Sequence, residues 1–421
     1  MGNRHLSLET MAKWLTGRLE HDDMLREVVP HHLEQCPACR DTYRELQKLK
    51  EEVGHWDEEV VLLESRDAPE LAAQLQDTPD GDDRDGRVEG DDILHTWGLC
   101  QLLLRRSLAA VRQDPGAAFG LADNAVRLTA HLGESYDSQW VLGLRARALA
   151  VRANARRVLA ELRSADADFR KARACLSRSA MEGTRFEAEI LDLESSLRRD
   201  QRRFGEAQQK ADRALALYRE NEDAHGVGKV YLKKAKILEE SNELEGAIEL
   251  LRNPLEWIDP GSEPQLYASA RYNLLCGFIH AGRHQEAHDL LNEVRELFRG
   301  AAQPLDRVRL RWAEGNISWG LGRVDEAEAA FREVQRQFLD LKMGINAALV
   351  ALDLAVLLSE QGRTRELKPL AVELLAAFES REIHRESMAV LILFQRACEE
   401  ERLTAELARQ FASLLRREAK P

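Results

Sequence analysis

An imidazole and two thiols lie close together near the N-terminus, in the run His32-Leu-Glu-Gln-Cys36-Pro-Ala-Cys39. His32 and Cys36 are one helical turn apart, so both side chains can face one ion. The Cys-Pro-Ala-Cys step lets the chain turn and supply a second thiolate. Imidazole nitrogen and thiolate sulfur are the usual ligands of structural zinc. The spacing therefore predicts a zinc site in which three ligands are prearranged.

A structural zinc ion normally takes four ligands. His5, which lies 27 residues before His32 (32 − 5 = 27), is the best-placed fourth candidate, and His31 and His21 compete with it. Such a site would stabilise helices that are too short to build a core alone. Two other interpretations stay open. One is a redox dithiol, although the strand–helix context of a thioredoxin-like motif is missing, and the other is a pair of core cysteines beside a surface histidine.

Three or four short helices are expected over residues 1–65, and they must position the predicted ligands. Ser7-Leu-Glu-Thr has a capping pattern that opens one helix, and residues 25–33 form the next. The break falls at the metal motif, where Pro37 is well placed to start a helix. Apolar spacing continues that helix outward through Tyr43, Leu46, Leu49 and Val53.

The pattern His-x3-Cys-x2-Cys, with an upstream histidine and a long helix afterward, resembles the zinc-binding anti-sigma domain and the related zinc-finger family. The resemblance covers residues 1 to about 60. It implies binding of an extracytoplasmic-function sigma factor, whose access to RNA polymerase the domain blocks. It also implies that the zinc ion is either structural or released when the cysteines oxidise. Many relatives use the same fold as a general interaction or sensory module.

An acidic segment follows the predicted zinc domain. Residues 77–92 hold eight acids, two arginines and almost nothing apolar, which predicts a flexible linker over residues 66–92. A calcium loop is disfavoured, because Gly81 occupies the position of its first ligand.

A repeat of 40 residues follows the linker. Gly282-Arg-His-Gln-Glu-Ala, Gly322-Arg-Val-Asp-Glu-Ala and Gly362-Arg-Thr-Arg-Glu-Leu are evenly spaced (322 − 282 = 362 − 322 = 40). Ala247, Ala207 and Ala165 extend the same phase toward the N-terminus. The pattern predicts a stack of helical pairs over residues 93–421, closed by capping helices at the C-terminal end.

The second helix of each pair presents small and bulky residues at matched offsets, as in Ala327, Phe331 and Val334. This resembles the tetratricopeptide repeat, in which small residues let two helices approach closely. Gly315, twelve residues before Ala327, matches the small position on the family's first helix. The period of 40 departs from the family's 34 and implies longer helices, and a generic armadillo- or HEAT-like solenoid is the alternative.

The tetratricopeptide register implies a concave groove lined by the first helices. The residues expected to face a bound peptide are Lys229, Lys236, Tyr272, Arg309, Trp312, Asn316 and Trp319. Two tryptophans with nearby cations suit peptide binding. Packing between neighbouring helices is the competing interpretation of these tryptophans.

The sequence carries no other motif that predicts chemistry, so an enzyme is not expected. A phosphate-binding glycine loop, His-Glu-x-x-His and Gly-x-Ser-x-Gly are all missing from the 421 residues. His280, His284 and His288 recur every four residues, but they lie on both sides of the Gly282 turn and cannot share one continuous helix.

Composition narrows the class of protein. Charged residues make up 32% and aromatic residues only 6%, which favours an all-α helical array, and 44% hydrophobic residues are ample for a core. A net charge of −13 argues against direct nucleic-acid binding. No run approaches the roughly 18 apolar residues of a membrane span, and the start lacks the apolar core of a secretion signal, so a cytoplasmic location is expected.

Two functions are compatible with these patterns. The first is a cytoplasmic regulatory adaptor, in which the zinc domain binds a sigma factor or another protein and the repeats bind a second partner. The second is an interaction scaffold in which zinc only stabilises the fold and the groove makes all the contacts with the partner.

Overall fold

The computed structural model describes residues 6–15, 23–53, 59–76, 88–132, 136–299, 304–341, 343–372, 385–399 and 403–418. Every regular element in these ranges is a helix, so the predicted all-α class is confirmed. The chain divides into two compact units, residues 1–197 and residues 198–421. In the described ranges no helix combines the length and the apolar character that crossing a bilayer requires.

The first unit begins with four helices around a small core. These are α1 (Leu8–Leu15), α2 (Asp23–Gln35), α3 (Pro37–Val53) and α4 (Glu59–Gln76). Met11 and Ala12 of α1 pack against Cys39 and Leu46 of α3, and Leu63 of α4 covers this cluster. We call these four helices the head.

Helical pairs complete the first unit. They are α5 (Trp97–Ala110) with α6 (Pro115–Leu128), α7 (Ser138–Val158) with α8 (Leu162–Leu176), and then α9 (Arg185–Asp200), most of which belongs to this unit. Local sequence sets the starts of these helices. The Thr96 hydroxyl accepts the Leu99 amide proton (3.2 Å), and Asp114 caps α6 immediately before Pro115.

The prediction of a flexible linker was wrong for residues 66–76, because α4 continues through them. Ala68, Ala72 and Leu75 are buried, and their spacing of four and three residues places them on one face of this helix. Ala72 and Leu75 belong to the same core as Trp97 of α5, so α4 packs against the first helical pair as well as the head. Residues 77–87, the most acidic part of the predicted linker, lie outside the described ranges, and the three domain boundaries stay predictions.

The second unit continues the pairing, and its described part includes the following helices. They are α10 (Phe204–Glu220), α11 (Ala224–Glu240), α12 (Leu244–Arg252), α13 (Pro264–His280), α14 (His284–Arg299), α15 (Pro304–Gly320), α16 (Val324–Asp340), α17 (Gly344–Glu360), α18 (Arg385–Glu399) and α19 (Ala405–Glu418). The alanines that define the repeat are buried at the start of each second helix: Ala207, Ala247, Ala287 and Ala327 are at most 4% exposed.

The turn inside each pair repeats the period that the sequence shows. Residues 202, 242, 282, 322 and 362 all have a positive φ, between 59° and 75°, and the next backbone amide donates back to the first helix, as Arg323 does to Ser318 (2.8 Å). This left-handed ending satisfies carbonyl groups that the helix leaves without a partner. Glycine occupies this left-handed position at residues 282, 322 and 362, where a residue without a Cβ atom has no steric penalty.

Replacing Gly322 by alanine is expected to lower the free energy of unfolding by about 1 kcal/mol, because its φ of 75° brings a Cβ atom close to the backbone. Gly120 provides the matched control, since it lies within α6 and a Cβ there meets nothing within 4 Å. Gly120→Ala should raise stability by up to about 1 kcal/mol. Urea unfolding compares the variants, and equal effects would refute a conformational role for Gly322.

Candidate metal centre and interaction surfaces

The three predicted ligands come together at the junction of α2 and α3. His32 is in the last turn of α2, Cys36 lies between the helices, and Cys39 is in the first turn of α3. The Cys36 amide donates to the His32 carbonyl (2.8 Å), so the chain keeps a helical turn up to the proline that starts α3. One donor atom from each of the three side chains lies within 4.8 Å of the other two.

The burial and the donor atoms of this group fit a metal ion. The His32 Nε2 atom is buried and has no hydrogen-bond partner in the described part of the chain, which is costly for a polar atom without a ligand. Cys39 is 2% exposed. Burial raises the pKa of the Cys39 thiol, the Leu6 backbone amide opposes that rise, and Cys36 adds to it. A nitrogen and two sulfurs in a partly dry site are a suitable donor set for zinc.

The fourth ligand remains a prediction. His5, the preferred candidate, and His21 lie outside the described residues. His31 is exposed, and its Nε2 atom is 2.9 Å from Nε2 of Gln35, away from the group of three. The backbone amide of Leu6 donates a hydrogen bond to Cys39, so Leu6 lies beside the site. Leu6 directly follows His5 in the sequence. That contact favours His5 over His31.

The predicted groove residues occupy the first helices of their pairs, as expected, but several are bound within the scaffold. The Trp312 indole donates to Asp353 (2.9 Å) and the Trp319 indole donates to Glu360 (3.1 Å), both on α17. Trp312 also packs edge-on against Phe338, at 5.9 Å between ring centroids. These tryptophans therefore hold successive pairs together.

Tyr272 and Asn316 are also engaged within the chain. The Tyr272 hydroxyl donates to the Arg309 carbonyl (3.3 Å), and the Asn316 amide donates to the Trp312 carbonyl (3.0 Å). Lys229, Lys236 and Arg309 keep exposed side chains. A partner-binding role for the seven residues stays a prediction, and the three cations are its most accessible members.

Glu239 joins one of these cations to a histidine of the next pair. Lys236 Nζ is 2.8 Å from Glu239, and His280 Nδ1 is 2.8 Å from it on the other side. Burial opposes ionisation, but the His280 hydrogen bond and the charges of Lys236 and His280 outweigh it and lower the pKa of Glu239 to about 2. The carboxylate therefore stabilises the folded chain above its usual pKa of 4.5.

Glu239→Gln is expected to destabilise the chain by about 2 kcal/mol at pH 6, since the depressed pKa of Glu239 marks a favoured negative charge. The difference from the wild type should shrink as the pH falls from 5 toward 2, because Glu239 becomes protonated in the unfolded chain first and in the folded chain only near and below its lowered pKa of about 2. Urea unfolding at several pH values measures it. Glu296→Gln, at an exposed pair with Arg299, is the control and should change stability by less than about 1 kcal/mol. A pH-independent difference would refute the explanation.

The histidines at 280, 284 and 288 do not form a metal site. His280 is paired with Glu239, whereas His284 lies so close to Gly320 that a Cβ there would be 2.1 Å from its ring. Across the described ranges, the His32, Cys36 and Cys39 group is the single cluster of three or more such donors. The disfavoured calcium loop falls largely in residues 77–87, outside those ranges.

The second unit contains an open pocket of about 660 Å³ that was not predicted from the sequence. Its walls come from α10, α11, α12 and the segment that follows α12, which includes Trp257. The sequence does contain an indication of the pocket, because Pro254 interrupts α12, the second helix of the pair formed by α11 and α12. Helix α12 has 9 residues, whereas α10 and α16 have 17 each.

Comparison with known proteins supports the fold. No family model matches the chain, and no curated protein matches it as a relative. Among solved structures, the apo form of RapI is 17% identical with a TM-score of 0.53, over 85% of this chain and 98% of RapI. Aspartyl phosphate phosphatase F from Bacillus subtilis is 13% identical with a TM-score of 0.53, over 90% of this chain and 96% of that protein.

A third similar structure is a signal transduction ATPase with numerous domains from Pyrococcus horikoshii, which carries a tetratricopeptide repeat sensor. It is 15% identical with a TM-score of 0.52, over 89% of this chain and 57% of that one. At these identities the likeness shows the fold alone. The chain therefore has the tetratricopeptide-like helical-repeat fold that its period predicts.

Proposed function

We propose that this chain is a regulatory adaptor that binds other proteins through its helical repeats, with a zinc-stabilised head at one end. The array of helical repeats is the main observation that supports this proposal. Stacked helical pairs present an extended surface, and proteins of this architecture use such surfaces for recognition. The exposed cations Lys229, Lys236 and Arg309 are candidates for contacts with a peptide.

The head contributes through the zinc ion that His32, Cys36 and Cys39 are placed to hold, with His5 as the proposed fourth ligand. Zinc would supply binding free energy that holds α2 and α3 against each other. The chain supplies the orientation: α2 positions the imidazole, α3 positions the Cys39 thiol, and the Leu6 amide hydrogen-bonds the Cys39 sulfur. Met11 and Leu46 shield that sulfur from water.

A structural change in the head is transmitted to the repeats through α4. Leu63 of this helix packs against the core around Cys39, and the next residue, Glu64, accepts hydrogen bonds from the Gly98 amide (3.2 Å) and the Tyr136 hydroxyl. Burial raises the pKa of Glu64, which the bonds from Tyr136 and the backbone of α5 oppose. A change in the metal centre therefore acts on a helix that also forms part of the first repeat.

The partner of the head can be proposed more specifically. The resemblance of the head to anti-sigma domains favours an extracytoplasmic-function sigma factor as the protein bound by the head, with a peptide or second protein bound by the repeats. A redox-sensitive form of this proposal takes hydrogen peroxide as the oxidant. The Cys36 and Cys39 thiolates would give it two electrons and form a disulfide, the peroxide and two protons would become two water molecules, and a bound zinc ion would lose these two ligands. The alternative function is a scaffold in which the zinc ion is purely structural and the groove binds the partner.

Co-purification from the native host tests the proposal and separates these versions. The baits are the full-length chain, the Cys36→Ser/Cys39→Ser variant and a Lys229→Glu/Lys236→Glu variant, and mass spectrometry identifies the bound proteins. A sigma factor recovered by the wild type and lost with the serine variant supports the anti-sigma version. A partner lost only with the glutamate variant supports the groove. Failure of every bait to enrich a protein over an unrelated control would refute the adaptor.

A further inference from the structure

One pair in the second unit departs from the repeat, and the departure creates a pocket. Helix α12 ends at Arg252, and a 3₁₀ turn at Pro254–Glu256 carries the chain back toward α11. Ile258 is 4% exposed and packs against α11, where a Cβ at Gly228 would be 3.3 Å from its side chain. The segment is therefore held in place, and it forms one wall of the 660 Å³ pocket.

Trp257 is the aromatic surface of this pocket. Its ring stacks on Tyr231 of α11, at 4.5 Å between centroids and 21° between planes. Arg219 already lies over the Tyr231 ring at 5.6 Å and hydrogen-bonds its hydroxyl, but Arg219 does not line the pocket. Unlike Trp312, whose indole donates to a carboxylate, Trp257 has no side-chain hydrogen bond in the described part of the chain. A half-buried ring placed in this way can accept a ligand.

The charged residues around Trp257 determine whether the pocket favours a positively or a negatively charged ligand. The pocket is lined by four acids and one base, a formal charge of −3 (1 − 4): Asp212, Glu243, Glu249, Glu256 and Lys234. Lys234 is already paired with Asp212 at 2.6 Å, so its charge is neutralised within the chain. Glu249 is likewise paired with Arg252 at 3.5 Å, which leaves Glu243 and Glu256 facing the same space as an aromatic ring. An aromatic face beside carboxylates attracts a guanidinium or ammonium group and repels an anion.

We propose that this pocket binds an arginine or lysine side chain of a partner polypeptide, by stacking on Trp257 and by ion pairing with Glu243 and Glu256. The proposal rests on the adaptor function and deepens it, because it names the chemistry that the partner must present. One observation favours a polypeptide over a free amine. Leu255, beside the pocket, is 65% exposed and offers an apolar contact for residues that flank the bound cation.

Fluorine NMR of the full chain labelled with 5-fluorotryptophan tests the proposal, because the seven tryptophans give few signals and Trp257→Phe identifies the one that matters. The probe is the capped peptide Gly-Ser-Arg-Ser-Gly. It should shift the Trp257 signal and saturate in the millimolar range, as expected for one buried side chain. Its citrulline counterpart, which lacks the charge, should cause little shift. The Trp312 signal should not move.

Two variants test the charges. Glu243→Gln/Glu256→Gln should weaken the peptide at least threefold, whereas the control Glu296→Gln, outside the pocket, should leave its affinity unchanged. A Trp257 signal that the arginine peptide does not move, or that citrulline moves equally, would overturn the cationic site. An equal affinity for ethylguanidinium, a free guanidinium cation with the same single charge as the peptide, would overturn the assignment to a polypeptide. The co-purification could recover partner proteins while the arginine peptide leaves the Trp257 signal unchanged. That combination would refute the cation-binding pocket and leave the adaptor function intact.

Discussion

The wild-type chain is expected to purify with one zinc ion, and the Cys39→Ser variant with less than about a tenth of that content. A serine hydroxyl is a poor zinc ligand, and Cys39 is the most buried of the three donors, at 2% exposure. Structural zinc supplies about 10–16 kcal/mol in small zinc-finger peptides, so losing a ligand should unfold much of α2 and α3. Elemental analysis gives the zinc content, and circular dichroism gives the loss of helix.

Cys398 provides the matched control for this experiment. It is a free cysteine, 3% exposed, in the core that includes Phe394 and Ala408, far along the chain from the three donors. Cys398→Ser should cost some stability and leave the zinc content at one per chain. A Cys39→Ser protein that keeps a full equivalent of zinc would show that Cys39 is not a ligand.

Replacing Gly98 by valine is expected to lower the free energy of unfolding by about 3 kcal/mol or more. A Cβ at Gly98 would lie 2.4–2.6 Å from backbone atoms of Glu64 and Ser65, so α4 and α5 cross with their main chains almost in contact. Backbone atoms inside helices cannot rotate away, so the substitution must push the two helices apart. It would also break the hydrogen bond from the Gly98 amide to Glu64. Guanidinium unfolding measures the change.

Gly120→Val separates this clash from the general effect of a branched residue in a helix. Gly120 is exposed on α6 and a Cβ there meets no atom within 4 Å, so valine should change stability by less than about 1 kcal/mol. Both glycines are inside helices of the same unit. If Gly98→Val destabilised the chain no more than Gly120→Val, the close packing of α4 on α5 would be refuted.

Local patterns in the sequence predicted the parts of the structure that depend on local contacts. The period of 40 residues predicted the turns, because each left-handed residue ends a helix through hydrogen bonds within a few positions. The spacing of His32, Cys36 and Cys39 predicted the metal group for the same reason, since one helical turn and one short bend bring the donors together.

Features that depend on distant residues could not be predicted in this way. The acidic composition of residues 66–92 concealed the buried face of α4, whose partner Trp97 comes much later in the chain. Nor does periodicity reveal that the Trp312 indole finds Asp353, which lies 41 residues away in the sequence. Trp257 is a different case, because Pro254 marks the end of the regular helix, but the pocket beside it depends on α10 and α11.

We propose that the metal centre and the first repeat form one folded unit joined by α4, so that the head can influence partner binding. Hydrogen exchange of the full chain, with zinc bound and after chelation, tests this coupling. Chelation should speed exchange in residues 23–53, and also in α4 and in α5, while α16 serves as the internal reference and stays unchanged. Faster exchange confined to residues 23–53, with α4 and α5 still protected, would contradict the claim.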